Sequence, residues 1–277
     1  AWYHIWVQID TTDGTQADRF KLYVNGVRVT ALTTTVAIAD GSPDIRGFNE
    51  DGIVAYFGHT NVVASDCALP DSPENNFATL NPIEEDSRTT AFSEGSLQAT
   101  IPSASATGKA FSTIAQSSGK WYWEIYYKSR TASGNYLTVG LRATDESSQY
   151  FIRGSDGERW DNGSPSSATS ARNAPTNVIG VAVDLDNGKW YIATNNTWQN
   201  AGNGTGDPEG GTGQVHSGLS GEFQFLAGNA SSSGNHIFVA NFGQDSSFAG
   251  NKTAQGNTDG NGIGDFYYAP PSGYLAL

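Results

Sequence analysis

The chain reads as all-β, built of antiparallel β-sandwiches, and three observations carry that reading. Apolar and polar residues alternate in short runs, as half-buried strands require, and no segment sustains the 3.6-residue period of a helix. Clusters of Gly, Asn, Asp, Ser and Thr separate these runs, with Gly occurring 33 times in 277 residues. Aromatic residues, 12% of the chain, supply the core volume that scarce Leu and Ile do not. The length suits one large β domain or two smaller ones.

Each element follows from its own residues. From Trp2 to Ile9 the pattern alternates, placing Trp2, His4, Trp6 and Gln8 on one face and Tyr3, Ile5, Val7 and Ile9 on the other. Phe20–Val24 and Val27–Thr30 flank Asn25-Gly26, a two-residue turn that needs positive φ twice and so predicts a hairpin. The Pro- and Ser-containing stretch from Ala64 to Pro73 marks a boundary, dividing the chain into residues 1–64 and 65–277. In the second part strands are predicted over Phe92–Ile101, Lys109–Ala115, Trp121–Tyr127, Tyr136–Ala143 and Tyr150–Arg153. Further strands are predicted over Val178–Leu185, Trp190–Thr194, Phe223–Ala227, Ile237–Phe242 and Phe266–Tyr268. Period two puts Trp121, Trp123, Ile125 and Tyr127 on one face, with Trp123 and Ile125 expected inside. Gly140 and Gly180 predict close backbone approach or a bulge, and Asp186-Asn187-Gly188 predicts a turn.

Composition narrows the function. Net charge is -13 and there is no Lys/Arg-rich run, so a phosphate-backbone partner is not expected. Charged residues are 16% of the chain, which predicts a neutral polar surface of hydroxyls and amides. Cys67 is the single cysteine, so no intrachain disulfide framework can form. No apolar run is long enough for a membrane-spanning helix, and no insertion into a membrane is expected. The chain has no Met and opens inside a strand pattern, which suggests a piece of something longer.

The motifs carry resemblances. Residues 1 to about 60, with Trp2-Tyr3-His4-Ile5 and Phe20-Lys21-Leu22-Tyr23-Val24-Asn25-Gly26, resemble the middle of a laminin-G or concanavalin-like lectin sandwich. Residues from about 75 onward resemble a SPRY domain. Trp121-Tyr122-Trp123-Glu124-Ile125, Val139-Gly140-Leu141, Ile179-Gly180-Val181-Ala182-Val183-Asp184 and Asn241-Phe242-Gly243 carry that resemblance to SPRY. A lectin-like piece, Asn75-Asn76-Phe77-Ala78-Thr79-Leu80-Asn81-Pro82, the SPRY-like part and Phe266-Tyr267-Tyr268-Ala269-Pro270-Pro271-Ser272-Gly273-Tyr274 together resemble virion-surface or tail-fibre proteins of tailed bacteriophages, marine phages and cyanophages included. That resemblance implies a non-catalytic protein on the virion surface, present in many copies or as a homo-oligomer. Its partner would be a host cell-surface glycan or other virion proteins. A polysaccharide-degrading tailspike is the remote alternative. Asp245 to Asp265 is longer than the SPRY pattern needs.

Catalytic signatures are absent: there is no H-E-x-x-H, nucleophile elbow, Walker loop or Rossmann fingerprint. His4, His59, His216 and His236 are scattered without metal-ligand spacing. The carboxylates Glu84, Glu85, Asp86, Asp145, Glu146, Asp156 and Glu158 read as solvated surface acids rather than a glycosidase pair. Asn257, Asp259, Asn261, Gly262 and Asp265 match the start of a calcium loop, with no bidentate Glu to close it, so Ca2+ binding and a plain turn-rich loop both fit. Asp184-Leu185-Asp186-Asn187-Gly188 has similar spacing, but its hairpin position favours a turn. The candidate ligand-binding residues are Tyr150, Trp160 and Trp198, in the loop regions 144–176 and 195–215. Aromatics beside Asn and Asp suit sugar stacking or a protein interface, and equally suit lids over the core.

Overall fold

The computed structural model describes residues 5–9, 20–24, 27–28, 76–83, 90–102, 108–131, 137–154, 157–168, 174–200, 204–229 and 235–277. The chain divides into two units, Ala1–Cys67 and Ala68–Leu277. Asn25-Gly26, His4, His59, Cys67, Glu84, Glu85, Asp86, Asp156 and the stretch from Ala64 to Pro73 lie outside the described residues. No described residue is helical.

Among its described residues the first unit shows one sheet. Strands β1 (Ile5–Ile9), β2 (Phe20–Val24) and β3 (Val27–Arg28) lie in the order β1-β2-β3, with antiparallel pairing throughout. Val24 pairs with Val27, which leaves a two-residue connection, as the Asn-Gly motif predicts.

The second unit is a two-sheet sandwich. Its strands are β4 (Ala91–Ser93), β5 (Gln98–Ile101), β6 (Lys109–Gln116), β7 (Lys120–Arg130), β8 (Leu137–Ala143), β9 (Gln149–Arg153), β10 (Glu158–Asp161) and β11 (Ser164–Ala168). After them come β12 (Val178–Asp184), β13 (Lys189–Thr194), β14 (Thr197–Gln199), β15 (His216–Ser217), β16 (Phe223–Asn229), β17 (His236–Asn241) and β18 (Leu275–Ala276). One sheet runs β11-β10-β9-β8-β16-β6. The other runs β14-β13-β12-β7-β17-β5-β4, with β15 added beside β13 and β18 beside β7. Pairing is antiparallel except for β18, which runs parallel to β7.

The core lies between these sheets. Trp123 and Ile125 of β7, Val181 and Val183 of β12 and Ile192 of β13 face Val139, Leu141, Ile152 and Phe225 from the opposite sheet. Trp123 is 3% exposed and meets Phe225 edge-on at 6.0 Å, so the predicted inward face is the observed one. Gly140 has no room for a side chain: a Cβ there would sit 2.0 Å from the Tyr150 carbonyl and 2.5 Å from the Phe151 Cα. This is the close approach that the sequence predicts.

Two predicted strands are corrected. Phe92–Ile101 is not one strand but a hairpin, β4 and β5, because Glu94, Gly95 and Ser96 all take positive φ and turn the chain back. Phe266–Tyr268 makes no strand. Its Phe266 forms a single bridge with Asn257, and the amides of Tyr267 and Tyr268 donate to a buried carboxylate instead of to a neighbouring strand. The short strands β10, β11, β14, β15 and β18 have too few apolar residues to announce themselves by alternation.

Candidate functional site

The site begins on the outer face of the larger sheet. Period two turns Tyr122, Glu124 and Tyr126 of β7 away from the core. The segment after β17 folds over this face and buries Phe248, Phe266 and Tyr274 completely against it. That covering role accounts for the long Asp245–Asp265 stretch.

Glu124 is its anchor. The side chain is fully buried, and its Oε1 accepts the Tyr122 hydroxyl at 2.9 Å and the Tyr268 amide at 2.7 Å. Oε2 accepts the Tyr267 amide at 2.8 Å and the Asn241 side-chain amide at 3.3 Å. Burial disfavours the charged form and outweighs these donors, so the pKa rises to about 7. Asn241 extends the network, donating to the Asp265 carbonyl at 2.9 Å and accepting the amides of Gly243 and Asp245. The backbone that follows Tyr268 is therefore held in a fixed place.

That backbone, Ala269 to Pro271, forms one wall of an open cleft of about 530 Å³. Asn196 lines it from the β13–β14 turn and Trp198 from β14, with Thr205, Asp207 and Glu209 from the loop that follows. Asn195 and Asn196 both take positive φ, which makes the tight turn that puts Trp198 opposite Ala193. Trp198 rests on Tyr122, ring centroids 6.4 Å apart. The second wall is braced internally: Asp207 and Thr212 exchange backbone hydrogen bonds at 2.9 and 3.0 Å, and Asp207 Oδ1 accepts the Gly210 amide at 2.8 Å. Two contacts tie the walls together. Glu209 Oε1 accepts the Ser272 amide at 3.0 Å, and the Tyr274 hydroxyl donates to the Pro208 carbonyl at 3.3 Å. On the same face as Trp198, Tyr191 is pushed up to about 12, by burial first and then by the charges of Asp184 and Asp207.

The cleft can do specific chemistry. A half-buried indole offers a face for stacking, three prolines add apolar surface, and an amide, a hydroxyl and two carboxylates offer hydrogen-bond partners. No Lys, Arg or His lines it among the described residues.

The structure does not bring the three predicted aromatics together. Trp198 stands in the cleft, on the larger sheet. Tyr150 and Trp160 belong to β9 and β10 of the smaller sheet, and on opposite faces of it, because Trp160 pairs with Phe151 rather than with Tyr150. Tyr150 turns inward and packs on His216 at 4.2 Å and on Phe223 at 6.1 Å. His216 approaches Asp161 at 3.4 Å; burial and Arg159 lower its pKa against the pull of that carboxylate. Trp160 turns outward and stacks on Phe151 at 6.0 Å with planes 6° apart. Its Nε1 donates to Glu158 at 2.9 Å, and Arg153, bridged to Glu158 at 2.6 Å, lies 5.3 Å from its ring centre. Both its polar edge and one face are thus engaged within the chain. Glu158 is accordingly a structural ion-pair partner, not a solvated acid, while Asp145 and Glu146 sit exposed in a turn.

In the Asn257–Asp265 loop the side chains of Asn257, Asp259 and Asp265 meet the chain's own backbone. Asp259 is 7% exposed; its Oδ1 accepts the amides of Asn261 and Ile263 at 2.8 and 3.0 Å, and its Oδ2 that of Ala276 at 3.1 Å. The Asn257 side chain directs its amide at the carbonyls of Phe266 and Tyr267. Asp265 Oδ2 accepts the Ser246 amide at 3.2 Å, and Asn261 is exposed. Among the described residues no cluster of three or more His, Cys, Asp or Glu side chains has metal-holding geometry. The Asp184–Gly188 stretch is a turn: Asp184 accepts the backbone and side-chain amides of Asn187 and pairs with Lys120 at 3.3 Å. Burial would raise the Asp184 pKa, but those donors outweigh it and hold the group below its ordinary value.

Comparison with known proteins gives fold-level likeness only. No family model and no curated protein matches the chain. Among solved structures, the human HERC1 SPRY domain is similar at 13% identity and a TM-score of 0.45, covering 58% of this chain and 96% of that one. A carbohydrate-binding module, CBM66 from Bacillus subtilis, is similar at 11% identity and a TM-score of 0.39, covering 60% of this chain and 93% of that one. Identities this low carry no function across.

Proposed function

We propose that the chain is a non-catalytic recognition protein on the surface of a tailed-phage particle, and that the Trp198 cleft holds a segment of host-surface glycan. The observation that carries this reading is the cleft itself. It combines a supported indole with Asn196, Thr205, Asp207 and Glu209 around about 530 Å³, between walls tied by hydrogen bonds. Stacking on the apolar face of a sugar ring plus hydrogen bonds to its hydroxyls is the pairing such a surface offers. The phage setting rests on the sequence resemblance carried by the lectin-like piece, Asn75–Pro82, the SPRY-like part and Phe266–Tyr274 in combination. A single shallow site binds weakly, so display in many copies would raise avidity.

A glycan array probed with the whole chain tests the reading. Trp198→Ala should weaken whatever binding is seen by about tenfold or more, the scale of a lost aromatic anchor. Binding that survives Trp198→Ala intact rules the cleft out. Docking of another virion protein is the alternative, and it draws on the half-buried Phe151–Trp160 pair, the outward aromatic surface of the smaller sheet. Phe151→Ala with Trp160→Ala would then impair assembly and leave glycan binding untouched.

A further inference from the structure

We infer that the Trp198 cleft selects neutral glycans and rejects anionic ones, with Asp207 and Glu209 as the discriminating residues. This rests on the proposed glycan reading and deepens it by naming the ligand class. The lining carries two carboxylates and, among the described residues, no cationic side chain. An ionised carboxylate only accepts hydrogen bonds, so it pairs with a sugar hydroxyl and opposes a uronate, sialate or sulfate oxygen.

The two acids are already oriented for that task. Asp207 spends Oδ1 on the Gly210 amide and Glu209 spends Oε1 on the Ser272 amide. Each is fixed by one oxygen and keeps the other for a ligand, so little side-chain freedom remains to be lost on binding. Lys189 of β13 and Lys120 of β7, on the same sheet, are engaged within the chain. Lys189 donates to the Gly211 carbonyl at 2.7 Å and Lys120 pairs with Asp184 at 3.3 Å, and neither side chain lines the cleft. The chain's net charge of -13 adds a field that repels anions at longer range. The apolar elements, Trp198 and Pro270, stack on a sugar ring whatever its charge, so selection falls to the carboxylates.

The test uses the whole chain on an array of neutral, uronate-bearing, sialylated and sulfated oligosaccharides, at about 0.15 M ionic strength and again at lower salt, about a fifth of that. The wild-type chain should bind neutral glycans only. Asp207→Asn with Glu209→Gln keeps the shapes and the acceptor oxygens, so the fold should survive. This variant should bind the same neutral glycans at least about tenfold more weakly and should admit anionic glycans excluded before. Trp198-dependent binding that favours anionic glycans overturns the selectivity and leaves the glycan reading standing. So does a double variant with unchanged affinity and unchanged selectivity. Absence of any binding, or binding indifferent to Trp198→Ala, overturns the glycan reading and the selectivity with it.

Discussion

The two outer faces of the sandwich are made from the same materials and end up in different states. Each presents aromatics and acids from antiparallel strands. On the larger sheet, a long segment after β17 folds back and is anchored by Glu124, and its far end builds a cleft wall against Trp198. On the smaller sheet, the β9–β10 hairpin satisfies its own aromatics: Phe151, Arg153 and Glu158 surround Trp160. An aromatic residue is therefore available to a ligand according to what the rest of the chain brings beside it. Its own exposure does not decide the matter.

The sharpest way to break the difference is to remove the anchor. Glu124→Ala leaves the Tyr267 and Tyr268 amides, the Asn241 amide and the Tyr122 hydroxyl without their acceptor in a buried site. The cost should be about 3–5 kcal/mol by urea denaturation, as for other buried polar groups stripped of a partner. Glycan binding should fall with it, since the Pro270 wall is no longer held. A variant of wild-type stability would mean that the covering segment holds itself in place.

A milder perturbation is pH. The folded pKa of Glu124, about 7, lies above its ordinary 4.5, so between those values the folded state holds the proton more tightly than the unfolded one. The stability this contributes is whole below about 4.5 and is lost as pH rises through about 7. The wild-type chain should lose up to roughly 3 kcal/mol over that window. Glu124→Gln, which cannot titrate, should be less stable at low pH and should lack this fall. Parallel profiles for the two proteins would show that the buried acid titrates normally.

The smaller sheet gives the contrasting control. Trp160→Ala removes a half-buried ring together with its hydrogen bond to Glu158, and should cost about 1–2 kcal/mol. It should leave binding at the Trp198 cleft unchanged. Lost glycan binding in Trp160→Ala at full stability would move the site to the other face.

How much of this is legible in the sequence follows from the range of the interactions. Trp123, Ile125, Val181 and Val183 can be placed inside because period two is a local property of each strand. Trp198 stands out as a binding candidate from its neighbours Asn195, Asn196 and Thr197. Its partners Asp207, Glu209 and Pro270 do not, because the cleft closes through contacts between distant segments, such as Tyr274 with Pro208. Glu124 is visible as a residue of the Trp-Glu strand, yet nothing local reveals that it faces four donors, most of them from distant parts of the chain. Tyr150 and Trp160 group together in sequence because they flank one hairpin, and only the register, Trp160 opposite Phe151, separates their faces.

The smallest expected effect concerns the turn from Asn257 to Asp265, where sequence leaves calcium and a plain loop both open. A calcium ion needs side-chain oxygens converging on one point with lone pairs to spare. Here Asp259 directs both oxygens at backbone amides, and Asn257 presents its donor end to two carbonyls. Calcium would have to displace these bonds, and that cost offsets what coordination gains. The melting temperature should therefore be the same in calcium as in EGTA, because a ligand stabilises only a native state that binds it. Asp259→Ala should instead destabilise equally in both conditions, by about 1–3 kcal/mol, through the three amides it leaves unpaired. A calcium-dependent rise in melting temperature that Asp259→Ala abolishes would mean the loop opens to take the ion. The covering segment would then carry an ion-dependent anchor in addition to Glu124.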